Sequence, residues 1–228
     1  MTVLVLEEST RVLLRAVCLG TALWLAPAWG LADTQTDEAR QLALSQMQSR
    51  DAPARAKACE VLADVGVDED LPRLLGALFD EDAGVRAAAE LAIWRVWSRS
   101  GDVETDKLFN VGVEQMSRRN FPAAVRTFSR VIEMRPDFAE GWNKRATVYF
   151  MMGEDDLSLK DCDEVLKRNP YHFGVLSGYG QIHARRGELA RALDYFERAL
   201  VINPNMDGVR VAIEAIQRVL RRRDGRFI

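Results

Sequence analysis

The chain has 228 residues, 48% hydrophobic and 29% charged, with 31 basic and 34 acidic side chains and a formal net charge of -3 at pH 7. That composition suits one or two folded units and excludes long disorder. The near balance of charge gives no general attraction to nucleic acid, so no nucleic-acid partner is expected. With only 15 Gly and 7 Pro, and no run that alternates apolar and polar residues, an all-α fold is expected.

At the start of the chain, Arg11 and Arg15 precede the apolar run Ala16–Trp29, and Gly30 and Ala32 place small residues at -3 and -1 of a cut before Asp33. This is the anatomy of a secretory signal peptide, although Glu7 and Glu8 depart from the basic start. The run falls short of the roughly twenty residues of a membrane span, and Pro27 suits a signal better than a membrane helix. We expect residues 1–32 to be a signal peptide, the chain to be exported to a periplasm or secreted, and the mature form to have no integral membrane span. An uncleaved anchor and a buried helix are the alternatives. Cys18 lies in this segment, without a preceding Leu-x-Gly of the lipoprotein kind. Cys59 and Cys162 sit on apolar helix faces and read as buried small side chains, with a disulfide as the alternative.

Residues 33–100 read as a helical segment of their own. Asp51-Ala-Pro-Ala-Arg55-Ala-Lys-Ala58 resembles Asp82-Ala-Gly-Val-Arg86-Ala-Ala-Ala89 at an offset of about thirty residues, with Leu62 and Ile93 in phase. Leu71–Leu78 supplies a helix between them. In each copy the Asp is placed to cap a helix start and the Arg to reach a neighbour's carboxylate. The pattern resembles HEAT-type repeats; a generic helical bundle is the alternative. Acidic clusters stand at 68–70 and 80–82, and Ser98–Asp102 reads as the junction to the C-terminal half. Two solenoid types in series are expected to stack into one continuous curved body.

From residue 101 the chain repeats itself. Pro136, Pro170 and Pro204 recur at 34-residue steps. In the same phase stand Gly112, Ala146 and Gly180, then Ala124, Ser158 and Ala192, then Phe128, Cys162 and Phe196. Gly153 and Gly187 fall where the first helix of a hairpin would end. Small residues let two helices approach, the aromatic fills the gap, Gly accepts a positive φ, and Pro stops the second helix. The sequence here resembles tetratricopeptide repeats, which implies three helical hairpins over about 105–138, 139–172 and 173–206. Departures are Leu108 and Gln115 in place of the family's Trp and Tyr, and Cys162 in place of its aromatic. Asp207–Arg222 reads as an amphipathic capping helix, with Val209, Ala212, Ile213, Ile216 and Leu220 on one stripe. The basic run Arg218–Arg226, at the end of this helix and in the tail to residue 228, offers weak contact with a membrane surface as an alternative to a solvated end. The expected whole is thus an α-solenoid of stacked hairpins: three tetratricopeptide units and a capping helix, preceded by HEAT-like helices.

The resemblance also implies where a partner would bind. The concave face corresponds to Phe109, Val113 and Met116 in the first unit, Asn143, Thr147 and Phe150 in the second, and Ser177, Gln181 and Ala184 in the third, flanked by Lys144 and Arg185. Phe109, Val113, Met116 and Phe150 would form an exposed apolar patch, and Asn143 and Gln181 would hydrogen-bond a peptide backbone. Phe109 and Val113 in the first unit, with His172 and Leu176 in the third, replace the basic and amide side chains with which chaperone-binding members clamp a terminal carboxylate, so no such clamp is expected. No phosphate loop, no cofactor motif and no metal-ligand spacing accompany His172 or His183. Asp161-Cys-Asp-Glu164 reads as a solvated surface around an inward Cys162. The expected function is a non-catalytic scaffold for a protein or peptide partner, without cofactor; the alternative is an enzyme-associated subunit, since bilin lyases also carry HEAT-like units.

Overall fold

The computed structural model describes residues 28–223, and the side chains of 34–222. The signal-peptide reading, with Cys18, falls mostly on residues 1–27 and lies outside the described residues, as does the end of the basic tail beyond 223. By its contacts the chain divides into residues 1–37 and 38–228, and α1 (Ala28–Gln46) begins in the first and ends in the second.

Three further helices precede the junction: α2 (Ala52–Val65), α3 (Leu71–Ala77), reached through a single 3-10 turn at Asp68–Asp70, and α4 (Ala83–Trp97). Six more form three hairpins in the expected phases. They are α5 (Val103–Ser117) with α6 (Phe121–Met134), α7 (Ala139–Met152) with α8 (Asp155–Arg168), and α9 (Phe173–Arg185) with α10 (Leu189–Ile202). α11 (Asp207–Arg223) comes last. The described residues contain helices and turns but no strand, and no described helix is long and apolar enough to cross a membrane. The protein is an all-α solenoid of stacked hairpins.

Local chemistry sets these boundaries. Asp51, Asp82 and Asp102 stand before α2, α4 and α5, and their carboxylates accept the amides of Ala54, Val85 and Thr105 at 3.2, 3.0 and 2.8 Å. α7 and α9 end beside glycines at positive φ, Gly153 at 83° and Gly187 at 75°. Inside the hairpins the small residues face the residues sixteen positions later. A Cβ on Gly112 would lie 2.6 Å from the Phe128 ring, and one on Gly180 2.5 Å from Phe196. The middle unit solves the same packing the other way, with Ala146 carrying a Cβ and Cys162 replacing the ring in one cluster. Cys59 and Cys162 are buried free thiols. Beyond the third hairpin, Val209 and Ile216 of α11 are buried over Ala192 and Phe196, with Ala212, Ile213 and Leu220 packed alongside. This is the expected cap.

The N-terminal helices do not extend the stack in line, as two solenoids in series were expected to. α2 and α4 share a core of Ala58, Cys59, Leu62, Ala89, Ala92 and Ile93, and that core takes in Phe173, Ile202 and Met206 from the turns of the third hairpin. Arg55 behaves as the repeat pattern implied: Nε and Nη2 donate to the two carboxylate oxygens of Asp80, each at 2.7 Å. Arg86, its counterpart, instead donates to Asn205 Oδ1 at 2.9 Å, and Asn205 Nδ2 donates to Leu78 O at 2.8 Å. Further along α4, Trp97 stacks on His172 with centroids 4.5 Å apart, and Trp94 meets Phe173 edge-on at 5.2 Å. α4 therefore lies across the turns that enter α9 and α11. The physical reason is the tryptophan pair, whose large apolar area is buried only against an equally apolar edge, and Phe173 with Ile202 supplies one.

Candidate functional site

The first helices of the hairpins, α5, α7 and α9, are neighbours in that order. The residues expected to line their common face divide into two groups. Phe109 is not part of an exposed patch. It is 3% exposed, with its ring 5.8 Å from Phe128 and 5.3 Å from Phe138, and Val113 and Met116 are half-buried against the same cluster. The phase of Phe109 is the one Asn143 and Ser177 hold in the next two units, and that phase is covered by neighbouring helices in all three. Asn143 and Ser177 are also buried.

The second group is accessible and joined across units. Phe150 lies under the Arg185 guanidinium, 4.2 Å from its centre, and Arg185 also pairs with Asp155. Exposed Gln181 reaches Ser177 Oγ at 3.4 Å. Half-buried Thr147 donates to Asn143 O at 2.9 Å. Ala184 is partly buried beneath α11. What remains open on this face is an amide, a guanidinium and a ring in the second and third units.

One turn before Asn143 sits a residue that no sequence pattern singles out. Glu140 is 1% exposed, and both its oxygens accept from Asn143 Nδ2 at 3.0 Å. Lys144 lies 3.3 Å away, and its ammonium stands 5.8 Å from the Trp94 ring centre. His172 Nδ1 accepts the Val175 amide at 3.1 Å, so the ring hydrogen is on Nε2, which donates to Glu140 at 2.6 Å. Burial works to raise the Glu140 carboxyl pKa. The His172 bond, the Lys144 charge and the Asn143 amide outweigh it and hold the group at about 2. A Cβ on Gly174 would fall 2.5 Å from the Trp94 ring, so that glycine is what admits α4 here. α4 thus covers the end of the concave face at Lys144 and Gly174. The available signals were two tryptophans three residues apart near the junction and a His-Phe-Gly run in a turn.

The supposed solvated cluster around Cys162 is also corrected. Asp161 is 4% exposed, because Arg145 Nε and Nη2 donate to its two oxygens at 2.7 and 2.8 Å while Arg145 Nη1 donates to Ser129 Oγ at 2.9 Å. Three helices of two units are tied by one guanidinium. His183 is buried, stacked 5.3 Å from Tyr195 and 2.9 Å from Glu188.

Residues 112–173 and 173–206 each match a family model described as tetratricopeptide repeat. This part of the chain belongs to the tetratricopeptide repeat family. A TPR repeat-containing protein of Rhizobium etli is 34% identical over 125 residues, 55% of this chain and 60% of its own length. An Hsp70-Hsp90 organizing protein of Triticum aestivum is 24% identical over 114 residues, 48% of this chain and 20% of its own. This chain therefore spans at most 60% of these curated relatives. The solved TPR domain of Sgt2 from Aspergillus fumigatus shares the fold, with a TM-score of 0.51 at 18% identity over 54% of this chain and 83% of that one. The matches by family model lie within the three hairpins, so the HEAT-type resemblance of residues 33–100 stands on the sequence pattern alone.

Proposed function

We propose that the protein is a non-catalytic scaffold that holds an extended or helical peptide of a partner protein against the concave face of α7 and α9. One observation carries this reading: exposed Gln181 and Arg185, the latter over the Phe150 ring and paired with Asp155, set an amide and a guanidinium across two tetratricopeptide units, donors that suit a peptide backbone. The name of the wheat relative speaks of organising two chaperones, which fits a scaffold role. The candidate nucleophiles favour binding over catalysis. Burial pushes the Cys59 and Cys162 thiols up to about 11 and 12, so neither is a thiolate at neutral pH. The clamp positions His172 and Leu176 are buried, so the peptide is not held by a terminal carboxylate there.

A photo-crosslinking side chain at Gln181 should capture a discrete partner from an extract of the native host, whereas the same group at Glu197, exposed on α10, should not. Equal adducts from both positions would overturn the groove assignment. We also propose that the chain works outside the cytoplasm after loss of residues 1–32. Mass analysis of the protein recovered from its host should find a chain beginning at Asp33, and an intact start would end this part of the proposal.

A further inference from the structure

Between α3, the turns that enter α7 and α9, and the end of α10 lies a cavity of about 810 Å³. That size is in the range of sites that hold small ligands or peptide side chains. Gln181 and Arg185 do not line it. Three elements distant in sequence bring exposed apolar side chains to its lining. Phe79 after α3 is 61% exposed, Tyr171 before α9 59%, and Val201 at the end of α10 75%, with Leu75 behind them. Converging exposed apolar side chains of this size usually mark a contact surface.

One polar group in the wall points to what fills it. Trp97 also lines the cavity and is 7% exposed, but its Nε1–H is closed off from the open space, so the indole reports on the cavity rather than binding in it. Arg99 holds the end of α2 through two bonds of 2.6 Å, from Nη1 to Ala63 O and from Nη2 to Gly66 O. These partners are carbonyls, and among the described residues Arg99 has no carboxylate at ion-pair distance. The other two cations of the wall are already matched: Arg135 pairs with Asp137 at 2.9 Å and Arg168 with Glu164 at 2.8 Å. Of the wall's acids, Asp137 is thus engaged, Glu140 is held by its own network, and Asp68 interacts with Arg99 only at a distance, short of an ion pair. Burial disfavours the Arg99 charge, so a carboxylate arriving beside it gains more than it would in water.

We propose that this cavity is a second binding site, for an acidic segment of a partner protein that lays an aromatic or branched side chain against Leu75, Phe79, Tyr171 and Val201 and sets a carboxylate against Arg99. A free amphiphilic carboxylate is the rival occupant. The site is independent of the concave face, so either can fail without the other.

The test monitors the Trp97 indole N–H resonance in the full chain, assigned by its loss in Trp97→Phe. The probes are acetyl-Phe-Asp-Leu-amide, its Asn analogue, and decanoate. The Asp peptide should shift the resonance saturably, and the Asn analogue should bind at least tenfold more weakly. Arg99→Gln should weaken the Asp peptide about tenfold. Since Arg99 also secures α2, the companion variant is Val201→Asp, on an exposed side chain, which should remove the shift by repulsion while the thermal midpoint holds. Gln181→Ala should leave the titration unchanged. No shift at millimolar peptide, an Asn analogue as strong as the Asp peptide, or a response to decanoate alone would each overturn the proposal.

Discussion

At position 119 the first hairpin puts an arginine where the second and third have Gly153 and Gly187. Its φ is 59°, against 83° and 75° for the glycines. A side chain in the left-handed region costs about 1–2 kcal/mol, and the guanidinium 5.5 Å over the Phe121 ring returns part of that. Arg119→Gly should therefore stabilise the protein by about 0.5–1 kcal/mol, after the greater freedom of glycine in the unfolded chain is allowed for. A urea midpoint that rises at constant m would show it, and a lower midpoint would mean that the ring contact outweighs the backbone strain. At Glu140 the direction of a pH effect is fixed by the sign of the shift. The folded pKa of about 2 lies below the ordinary 4.5, so the carboxylate's contribution is complete above pH 4.5 and is lost as pH falls toward 2. The difference corresponds to about 3 kcal/mol. Thermal midpoints should drop between pH 5 and 3 in the natural protein and drop less in Glu140→Gln, which starts lower; parallel curves would show that other carboxylates govern the acid limit.

Between neighbouring elements, the repeat fixes shape through pairs of residues. Gly112 with Phe128 and Gly180 with Phe196 place a ring where a Cβ would be, whereas Ala146 with Cys162 puts a Cβ where a ring would be. Cys162→Phe should overpack the middle hairpin and cost about 1–3 kcal/mol. Adding Ala146→Gly should recover more than half of that loss, and costs that merely add would show that the two positions do not share one space. Such short-range pairing is why much of the fold is legible in the amino-acid sequence. Spacing of 34 residues, the glycines of the turns and the helix N-caps act on residues close in sequence, so hairpins, cap and junction can be read from it. Phe109, Asn143 and Ser177 share one phase and all three are buried, because the period gives a residue's phase without saying how closely the neighbouring helices cover it. The Glu140 network and the course of α4 were invisible for a different reason. They join Arg86 to Asn205 and Trp97 to His172, pairs far apart in sequence, and no periodic pattern encodes which edge a tryptophan pair will cover.

Across the whole of residues 38–223, that course of α4 makes the stack unequal along its length. In a simple solenoid each hairpin is held only by its neighbours, and opening spreads from the ends. Here the third hairpin is capped by α11 on one side and joined to the N-terminal core through Phe173, Ile202 and Asn205. The second is joined to α4 through Glu140, Lys144 and His172. The first hairpin has the α6–α7 packing on one side and, on the other, mainly the Ser100 links to Asp106 at 2.6 and 2.7 Å. Fewer apolar contacts tie it to its surroundings, so it should open alone. Native-state hydrogen exchange should give amides of α5 and α6 a lower opening free energy than those of α9 and α10. Trp97→Ala should then lower α9 and α10 toward the first hairpin while leaving α5 and α6 nearly unchanged. Uniform protection in the natural protein would show that residues 38–223 open as one cooperative unit and that α4 does not set the order.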